Sequence, residues 1–152
     1  MTQDSDHIDE YGAEMVAFLE LIWGKGFLAP GGQQNICRLT EGIATQDRYL
    51  LDIGSGIGGG DIVLARDFGA RVVGIDIEAP LVRTAKAYVE EAGLTERVTF
   101  RHVRAGQLDF PDGIFDIVYS SGAFTQISDK SAMLAECILA AIRRLRAPLS
   151  CA

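Results

Sequence analysis

Hydrophobic residues recur along the chain with two different periods. Up to about residue 46 their spacing is helical, which predicts a helix over about residues 11–23 and another around residues 36–43, with a glycine-rich loop between them. From residue 49 onward, short apolar runs alternate with helical segments. Runs of this kind are typical of strands that are buried on both faces of a parallel sheet.

The second part of the chain alternates regularly between strand and helix. The pattern predicts strands over residues 49–53, 71–75, 98–103 and 114–119, with helices over 60–68, 80–92 and 129–145. Because such alternation favours a parallel sheet with right-handed crossovers, we predict an α/β, Rossmann-like three-layer sandwich. We assign residues 1–9 to a disordered acidic tail, 10–46 to an N-terminal helical cap and 47–152 to the sheet domain.

A glycine-dense turn follows the first predicted strand. The chain reads Leu-Asp-Ile-Gly-Ser-Gly-Ile-Gly-Gly-Gly over residues 51–60, and Asp76 ends the next strand 22 residues after Gly54. Glycine removes Cβ atoms where a ligand approaches, and the free amides of the following helix point into the same crevice. A carboxylate at that distance can accept hydrogen bonds from both ribose hydroxyls. The combination predicts a nucleotide-type cofactor site; the simpler alternative is a tight turn with Asp76 as a helix cap.

The class of cofactor depends on the residue before the turn. Gly54, Gly56 and Gly59 also satisfy the dinucleotide fingerprint, so an NAD-type dinucleotide binder is an alternative. Asp52 completes D-x-G-x-G-x-G, which resembles the first motif of class I S-adenosyl-L-methionine (SAM) methyltransferases. A cationic ligand without phosphate tolerates a carboxylate there better than a pyrophosphate would. The run Phe-Pro-Asp-Gly-Ile-Phe-Asp over residues 110–116 resembles the segment leading into strand four of that family, and we favour SAM.

The N-terminal part of the chain narrows the resemblance. Glu10-Tyr11, the run Leu-Ile-Trp-Gly-Lys-Gly-Phe-Leu-Ala-Pro-Gly-Gly over residues 21–32, and the glycine turn look like the phosphoethanolamine N-methyltransferases, and are similar to the sarcosine/dimethylglycine methyltransferases. The resemblance covers roughly residues 10–140. It implies a SAM-dependent methyltransferase acting on a small-molecule amine, with sheet order 3-2-1-4. The cofactor-binding residues that it implies are Leu28, Asp52, Gly54, Ser55, Gly56, Gly58, Asp76, Ile77, Arg104, Ala105 and Ser120.

Two positions are candidates for a catalytic role through the same resemblance. Tyr11 matches a tyrosine that closes over the cofactor and takes part in catalysis; the alternative is an interfacial aromatic on an amphipathic helix. The family has an aspartate and a histidine just after strand four, where this chain has Gly122 and Gln126. Because a glutamine amide does not titrate in the useful range, Gln126 cannot replace the histidine as a general base. The family's acid after strand three is also missing, since Arg104 and Gln107 occupy that stretch.

The end of the chain departs from the resemblance. Family members continue past the last predicted helix with a turn and three further strands, whereas this sequence ends at residue 152 without that turn. Strand four is then expected at an open edge of the sheet, which an oligomer or a partner chain could cover. A truncated, non-catalytic SAM-binding remnant or an interaction module is therefore the alternative to a working enzyme.

Composition and charge limit the binding partners and the cellular compartment that we expect for this protein. With 14 basic and 21 acidic residues among 152, the net charge of −7 disfavours nucleic acid as a partner. Three cysteines without CxxC spacing predict neither a metal site nor a disulfide framework. The apolar runs are too short for a membrane span, and the acidic start lacks the features of a signal peptide. We therefore expect a cytoplasmic protein.

Overall fold

The sheet is built from four parallel strands. The computed structural model describes residues 11–106 and 108–141. The strands are β1 (Tyr49–Ile53), β2 (Arg71–Asp76), β3 (Val98–His102) and β4 (Ile117–Tyr119), in the spatial order β3-β2-β1-β4. The predicted sheet order and Rossmann-like architecture are confirmed. Because the order of the strands reverses between β1 and β4, a crevice forms at their carboxyl ends.

Helices cover both faces of this sheet. In chain order they are α1 (Ala13–Trp23), α2 (Gly32–Leu39), α3 (Gly59–Phe68), α4 (Ala79–Glu91) and α5 (Lys130–Ala141), with a 3-10 turn at Ala123–Thr125. Helix α3 connects β1 to β2, and α4 connects β2 to β3. These helical crossovers are what parallel pairing of consecutive strands requires.

The strand side chains alternate between two hydrophobic cores. Leu50 and Val72 pack with α2, α3 and α4 on one face, whereas Leu51 and Val73 pack with α5 on the other. Phe115, which precedes β4, is fully buried in the second core. Burial on both faces explains why the strands are nearly continuous apolar runs in the sequence.

The last strand is shorter than predicted. Although the apolar run begins at residue 114, β4 begins at Ile117. The amides of Gly113 and Phe115 instead donate hydrogen bonds to the carbonyl oxygens of Leu139 and Ala140 in α5. The segment before β4 therefore pairs with α5 before it joins the sheet.

Helix α2 lies four residues earlier than predicted, at Gly32–Leu39 instead of around residues 36–43, so Ile43 lies outside it and is about half exposed. The remaining described boundaries lie within one or two residues of the prediction. Helix α1 begins at Ala13, β2 extends to Asp76 and β3 ends at His102. The tail predicted over residues 1–9 and the part of the last helix predicted over residues 142–145 lie outside the described residues.

The N-terminal cap contacts the sheet domain through the loop after α1 more than through α1 itself. Met15 and Ile22, two of the apolar residues at helical spacing, are about half exposed, and none of the residues of α1, all of which the structure describes, is buried. The amide of Gly59 donates to the carbonyl oxygen of Gly26 (2.9 Å), and the amide of Gly26 donates to Glu20 Oε1 (2.7 Å). The loop after α1 therefore lies directly against the start of α3.

Candidate functional site

The turn between β1 and α3 depends on left-handed backbone conformations. Gly54 and Gly56 have φ angles of +78° and +56°, where residues with side chains are strained. The amides of Gly54 and Ser55 both donate to the carbonyl oxygen of Ile75 in β2, over 2.8 and 3.0 Å. A Cβ atom at Gly54 would also collide with the Cβ of Ala123. Glycine at this position therefore serves both the turn and the close approach of the segment after β4.

Asp76 connects the end of β2 to the same turn. Its Oδ2 accepts a hydrogen bond from the amide of Gly56 (2.8 Å), and its Oδ1 accepts one from the amide of Glu78 (2.9 Å). Although the residue is only 9% exposed, it lines a large cavity. Each carboxylate oxygen has more than one lone pair, so Asp76 can still accept hydrogen bonds from ligand hydroxyls.

This large cavity, of about 670 Å³, lies at the carboxyl end of the sheet. Its volume is within the usual range for sites that bind small molecules and cofactors. The sequence-predicted residues that line it are Tyr11, Leu28, Gly54, Gly56, Asp76, Ile77, Arg104, Ala105 and Gln126. The fold thus brings most of the predicted site residues, from the cap, the turn and the segments after β2, β3 and β4, around one space.

Four of the predicted cofactor-binding residues do not line it: Asp52 and Ser55, which line a smaller cavity beside it, and Gly58 and Ser120, which line neither cavity. A Cβ at Gly58 would lie 2.6 Å from Cζ of Phe100 and 3.1 Å from Cβ of Ala85, so glycine allows α3 to pack closely on the core. The hydroxyl of Ser120 donates to the carbonyl oxygen of Ile53 (2.8 Å) and ties β4 to β1. Both residues support the wall of the site from behind, and a direct contact with a cofactor stays a prediction for them.

A smaller cavity of about 80 Å³ adjoins the large one. The two share Gly54 and Gly56 in their linings, and Asp52, Ser55 and Tyr119 line the smaller one. Among the described residues, the Asp52 Oδ1, the Ser55 hydroxyl and the Tyr119 hydroxyl have no hydrogen-bond partner although all three atoms are buried. Buried polar atoms are nearly always paired, so these atoms indicate a place for a polar ligand group.

Burial controls the electrostatics of the smaller cavity. Loss of water around Asp52, with the nearby negative charge of Asp76, raises the pKa of Asp52 to about 7. The same two causes, burial and a neighbouring carboxylate, hold the pKa of Asp61 well above its usual range. Burial and the charge of Asp52 also raise the pKa of the Tyr119 hydroxyl. A positively charged ligand group would be stabilised here, because it would replace repulsion between carboxylates by attraction.

Tyr11 and Gln126 meet at the rim of the large cavity. The amide nitrogen Nε2 of Gln126 lies 3.5 Å from the Tyr11 hydroxyl, which is the long limit for a hydrogen bond. Gly122, the other position singled out by the resemblance, also lines the cavity and has a φ of +106°. Arg104 is part of the lining, whereas Gln107 lies outside the described residues. Neither Gly122 nor Gln126 supplies a group that can take up a proton near neutral pH.

Three residues of the site carry no signal in the sequence: Asp61, Tyr119 and Ser121. Ser121 lines both cavities, and its hydroxyl accepts a hydrogen bond from Asn35 Nδ2 (3.2 Å). Asp61 lies in the first turn of α3 and is fully buried. An acidic residue in the first turn of a helix is common because it favours the helix dipole, so the sequence gives no hint of this burial.

Some functions receive no support from the described residues. Within residues 11–106 and 108–141, no group of three or more His, Cys, Asp or Glu side chains is placed to hold a metal ion. Across the same ranges, no helix combines the length and apolar character needed to cross a membrane. His102, at the end of β3, has its Nε2 3.0 Å from the carbonyl oxygen of Ile77, which is a contact between the segments after β2 and β3.

Comparison with known proteins identifies a matching protein family and several similar proteins. The family described as "Methyltransferase domain" matches residues 50–144, which is more than half of the chain. Phosphoethanolamine N-methyltransferase 1 of Arabidopsis thaliana is 32% identical over 126 residues, covering 82% of this chain and 25% of that protein. Phosphoethanolamine N-methyltransferase of Plasmodium falciparum is 29% identical over 132 residues, covering 85% of this chain and 48% of that protein.

A solved structure shares the fold closely. Phosphoethanolamine N-methyltransferase 2 of Haemonchus contortus, in complex with phosphomonomethylethanolamine and S-adenosylhomocysteine, matches with a TM-score of 0.81 and 30% identity. The match covers 87% of this chain and 31% of that chain. The chain thus spans between a quarter and a half of the length of these relatives.

Proposed function

This chain belongs to the methyltransferase domain family, and from that premise we propose that it binds SAM and transfers a methyl group to a small-molecule amine. The observation that carries the proposal is the single cavity of about 670 Å³, which joins the glycine turn and Asp76 to Tyr11 and Gln126. A cofactor held at one end of this cavity would have its reactive group near side chains that can orient an acceptor at the other end.

The residues present fit SAM on chemical grounds. Asp76 has carboxylate lone pairs for ribose hydroxyls, and the unpaired Oδ1 of Asp52 lies where a cationic amino-acid end would be neutralised. The glycine turn leaves the wall free of Cβ atoms, and Leu28 and Ile77 offer apolar surface. When bound, SAM supplies a methyl group activated by a positively charged sulfur.

The chain's own contribution to the transfer is orientation. Methyl transfer to an amine is an in-line displacement, which is accelerated mainly by holding the two reacting groups in the correct geometry. The Tyr11 hydroxyl and the Gln126 side-chain oxygen can each accept a hydrogen bond from an acceptor N–H and so direct the nitrogen lone pair. Gln126 does not take up a proton. The amine acceptor would therefore have to lose its proton to water, either directly or through the Tyr11 hydroxyl.

The charge of the cavity supports an amine as acceptor. Within the part of the chain that the structure describes, the lining contains the carboxylates of Asp76, Glu78 and Asp129 and the positive charge of Arg104. The acidic groups attract the positively charged amine of an acceptor, and Arg104 is a lining residue that can pair with a phosphate or carboxylate on the same molecule. Phosphoethanolamine and glycine derivatives are the acceptors that we propose first. Phosphoethanolamine is supported by the two relatives described above, which are named phosphoethanolamine N-methyltransferases.

Two measurements, carried out one after the other, test the proposal. Calorimetry with SAM, S-adenosylhomocysteine and NAD is expected to give the tightest binding for the first two ligands; tighter binding of NAD would overturn the cofactor assignment. An assay with a labelled SAM methyl group is then run with phosphoethanolamine, glycine, sarcosine and dimethylglycine. Binding of SAM without transfer to any amine would leave a non-catalytic SAM-binding protein, which is the alternative function.

A further inference from the structure

Asp61 and Asp52 form a buried pair of carboxyl groups behind the glycine turn. Asp61, in the first turn of α3, is 0% exposed and Asp52, in β1, is 4% exposed. Their side chains lie within hydrogen-bonding reach of each other. Asp52 also lines the smaller cavity that adjoins the cofactor cavity, whereas Asp61 lies behind it.

Among the described residues, neither carboxyl group has a positively charged partner, and no ion pair includes them. Apart from the backbone amide of Asp61, which acts on the Asp61 carboxyl group, no donor in the described part of the chain pairs with either oxygen of Asp61 or with the Oδ1 of Asp52. The titratable groups that act on the pair are Asp76 from β2 and Tyr119 from β4, and neither brings a positive charge. The other groups lining the smaller cavity around Asp52 are uncharged.

Two adjacent, buried and ionised carboxylates without donors would be strongly unfavourable. A single proton resolves the problem, because the O–H of one carboxyl group then donates to an oxygen of the other. The shared O–H can pair two of the three oxygens that otherwise have no partner, and it leaves the pair with one negative charge. Burial and the unpaired oxygens therefore favour a bound proton between Asp52 and Asp61 in the protein without its cofactor.

We propose that Asp61 is a positioning residue that holds a proton shared with Asp52, and that this proton is released to solvent when the cationic amino-acid end of the cofactor docks beside Asp52. The inference rests on the proposed function, since it assumes that SAM or S-adenosylhomocysteine occupies the adjoining cavity. The step is an exchange: one carboxylic O–H bond breaks, the proton passes to water, and the ammonium group of the ligand donates to the Asp52 carboxylate. The positive charge of the ammonium group offsets the second negative charge that the pair gains when the proton leaves.

This exchange makes cofactor binding depend on pH. Below the pH at which the pair loses its proton, each ligand that binds must displace one proton, so its affinity rises up to about tenfold per pH unit. Above that pH the affinity levels off. Burial raises the pKa of Asp52 to about 7, so the change falls near neutral pH.

Calorimetry with S-adenosylhomocysteine measures how many protons are released on binding. This ligand has the ammonium group and carries no methyl group to transfer. The binding enthalpy is compared at about pH 6.5 in two buffers with different ionisation enthalpies, and the difference gives the number of protons released. We expect a release of most of one proton at about pH 6.5 and of only about a tenth of a proton at about pH 8, where the pair is already deprotonated and the ligand's amino group is still cationic. Binding with no buffer dependence at either pH would overturn the inference.

The variant Asp61→Asn separates proton exchange from packing. Its amide is a permanent donor to Asp52, so we expect S-adenosylhomocysteine to bind with no proton release and with an affinity that does not vary with pH over the same range. Asp67→Asn, on the exposed side of α3, is the matched control and should release protons as the native chain does. Equal release in all three proteins would assign the proton to another group and would refute the role of Asp61.

A measurement on the native chain covers the case in which Asp61→Asn does not fold. The carboxyl carbons of Asp52 and Asp61, followed by NMR without ligand, are expected to share a titration near neutral pH that disappears when S-adenosylhomocysteine is added. If both carbons titrate below about pH 5, the shared proton does not exist. Failure of S-adenosylhomocysteine and SAM to bind at any pH would instead contradict the proposed function, while the NMR titration without ligand would still test the proton itself.

Discussion

The Asp76 carboxylate accepts a hydrogen bond from the backbone amide of Gly56 over 2.8 Å, and this contact joins the acid at the end of β2 to the glycine turn after β1. The two features are 20 residues apart in the sequence. In the folded chain they form one wall of the large cavity, with the free lone pairs of Asp76 available to a ligand.

Replacing Asp76 by asparagine is expected to weaken cofactor binding. The amide loses the negative charge and one acceptor oxygen, and hydrogen bonds to charged groups contribute about 1.5–3 kcal/mol. The affinity for S-adenosylhomocysteine, measured by calorimetry, should therefore fall roughly 10- to 100-fold. Asp112→Asn, on an exposed loop away from the cavity, should bind as the native chain does. Equal affinities in the two variants would remove Asp76 from the site.

Replacing Gly54 by alanine is expected to destabilise the fold more than replacing Gly42. Both glycines have a positive φ, of +78° and +76°, so a Cβ adds a similar backbone cost of about 1–2 kcal/mol at each. A Cβ at Gly54 also collides with Ala123, whereas nothing lies within 4 Å at Gly42. Overpacking adds about 1–3 kcal/mol. Urea unfolding of the two variants should show this difference, and equal losses would mean that the collision relaxes at no cost.

Replacing Tyr11 by phenylalanine is expected to slow methyl transfer roughly tenfold or more without changing cofactor affinity beyond about twofold. The hydroxyl, near Gln126, is lost while the ring that lines the cavity remains. Rates come from the labelled-methyl assay and affinities from calorimetry. Tyr88→Phe removes a hydroxyl that donates to Glu20 away from the cavity, and it should leave the rate unchanged. Unchanged turnover in Tyr11→Phe would show that the Tyr11 hydroxyl has no catalytic role.

Replacing Gln126 by histidine is expected to introduce a new pH dependence. An imidazole with a pKa of about 6.5 would accept a proton at the cavity rim beside Tyr11. The ratio of the variant's transfer rate to the native rate should rise as pH increases through that value and then level off. Gln33→His, outside the cavity, is the control and should give a constant ratio. A flat ratio for Gln126→His would show that no proton is transferred at this position.

The buried carboxyl pair predicts how stability changes with pH in the absence of ligand. Because the folded pKa of Asp52 is raised to about 7, the native state binds more protons than the unfolded state between about pH 4 and that value. Stability contributed by this group is therefore present at low pH and is lost as the pH rises, by up to about 4 kcal/mol.

Asp61→Asn is expected to reduce that loss, because its amide donates to Asp52 and the repulsion between the two carboxylates disappears. Urea unfolding should make this variant about 1–3 kcal/mol more stable than the native chain at about pH 8, with a smaller difference at about pH 4. In Asp67, hydrogen bonding from the Arg66 guanidinium lowers the pKa, so Asp67→Asn should show no gain at high pH. If the native chain is as stable as Asp61→Asn at about pH 8, the carboxyl groups of Asp52 and Asp61 do not repel each other in the folded protein.

Much of the fold was predictable from local pattern, and the failures have physical causes. The apolar runs gave β1 and β2 nearly to the residue, since strands buried on both faces must be apolar throughout. The predicted start of β4 was wrong because the amides of Gly113 and Phe115 donate hydrogen bonds to carbonyl oxygens of α5, a contact between separate segments of the chain. Apolar spacing correctly indicated α1 as a helix, although Met15 and Ile22 on it are about half exposed. Periodicity indicates a helix, whereas burial depends on what lies beside it.

The sequence by itself determined the α/β fold, the glycine turn and the acid at Asp76, because each depends on residue types at fixed spacing along one strand–turn–helix unit. Only the tertiary structure decided that Gly58 and Ser120 support the wall without lining the cavity, and that Tyr11 meets Gln126. It also decided that Asp61, an ordinary first-turn acid in the sequence, is buried against Asp52. Solvation and repulsion depend on distances between elements, and those distances exist only once the sheet and helices have packed.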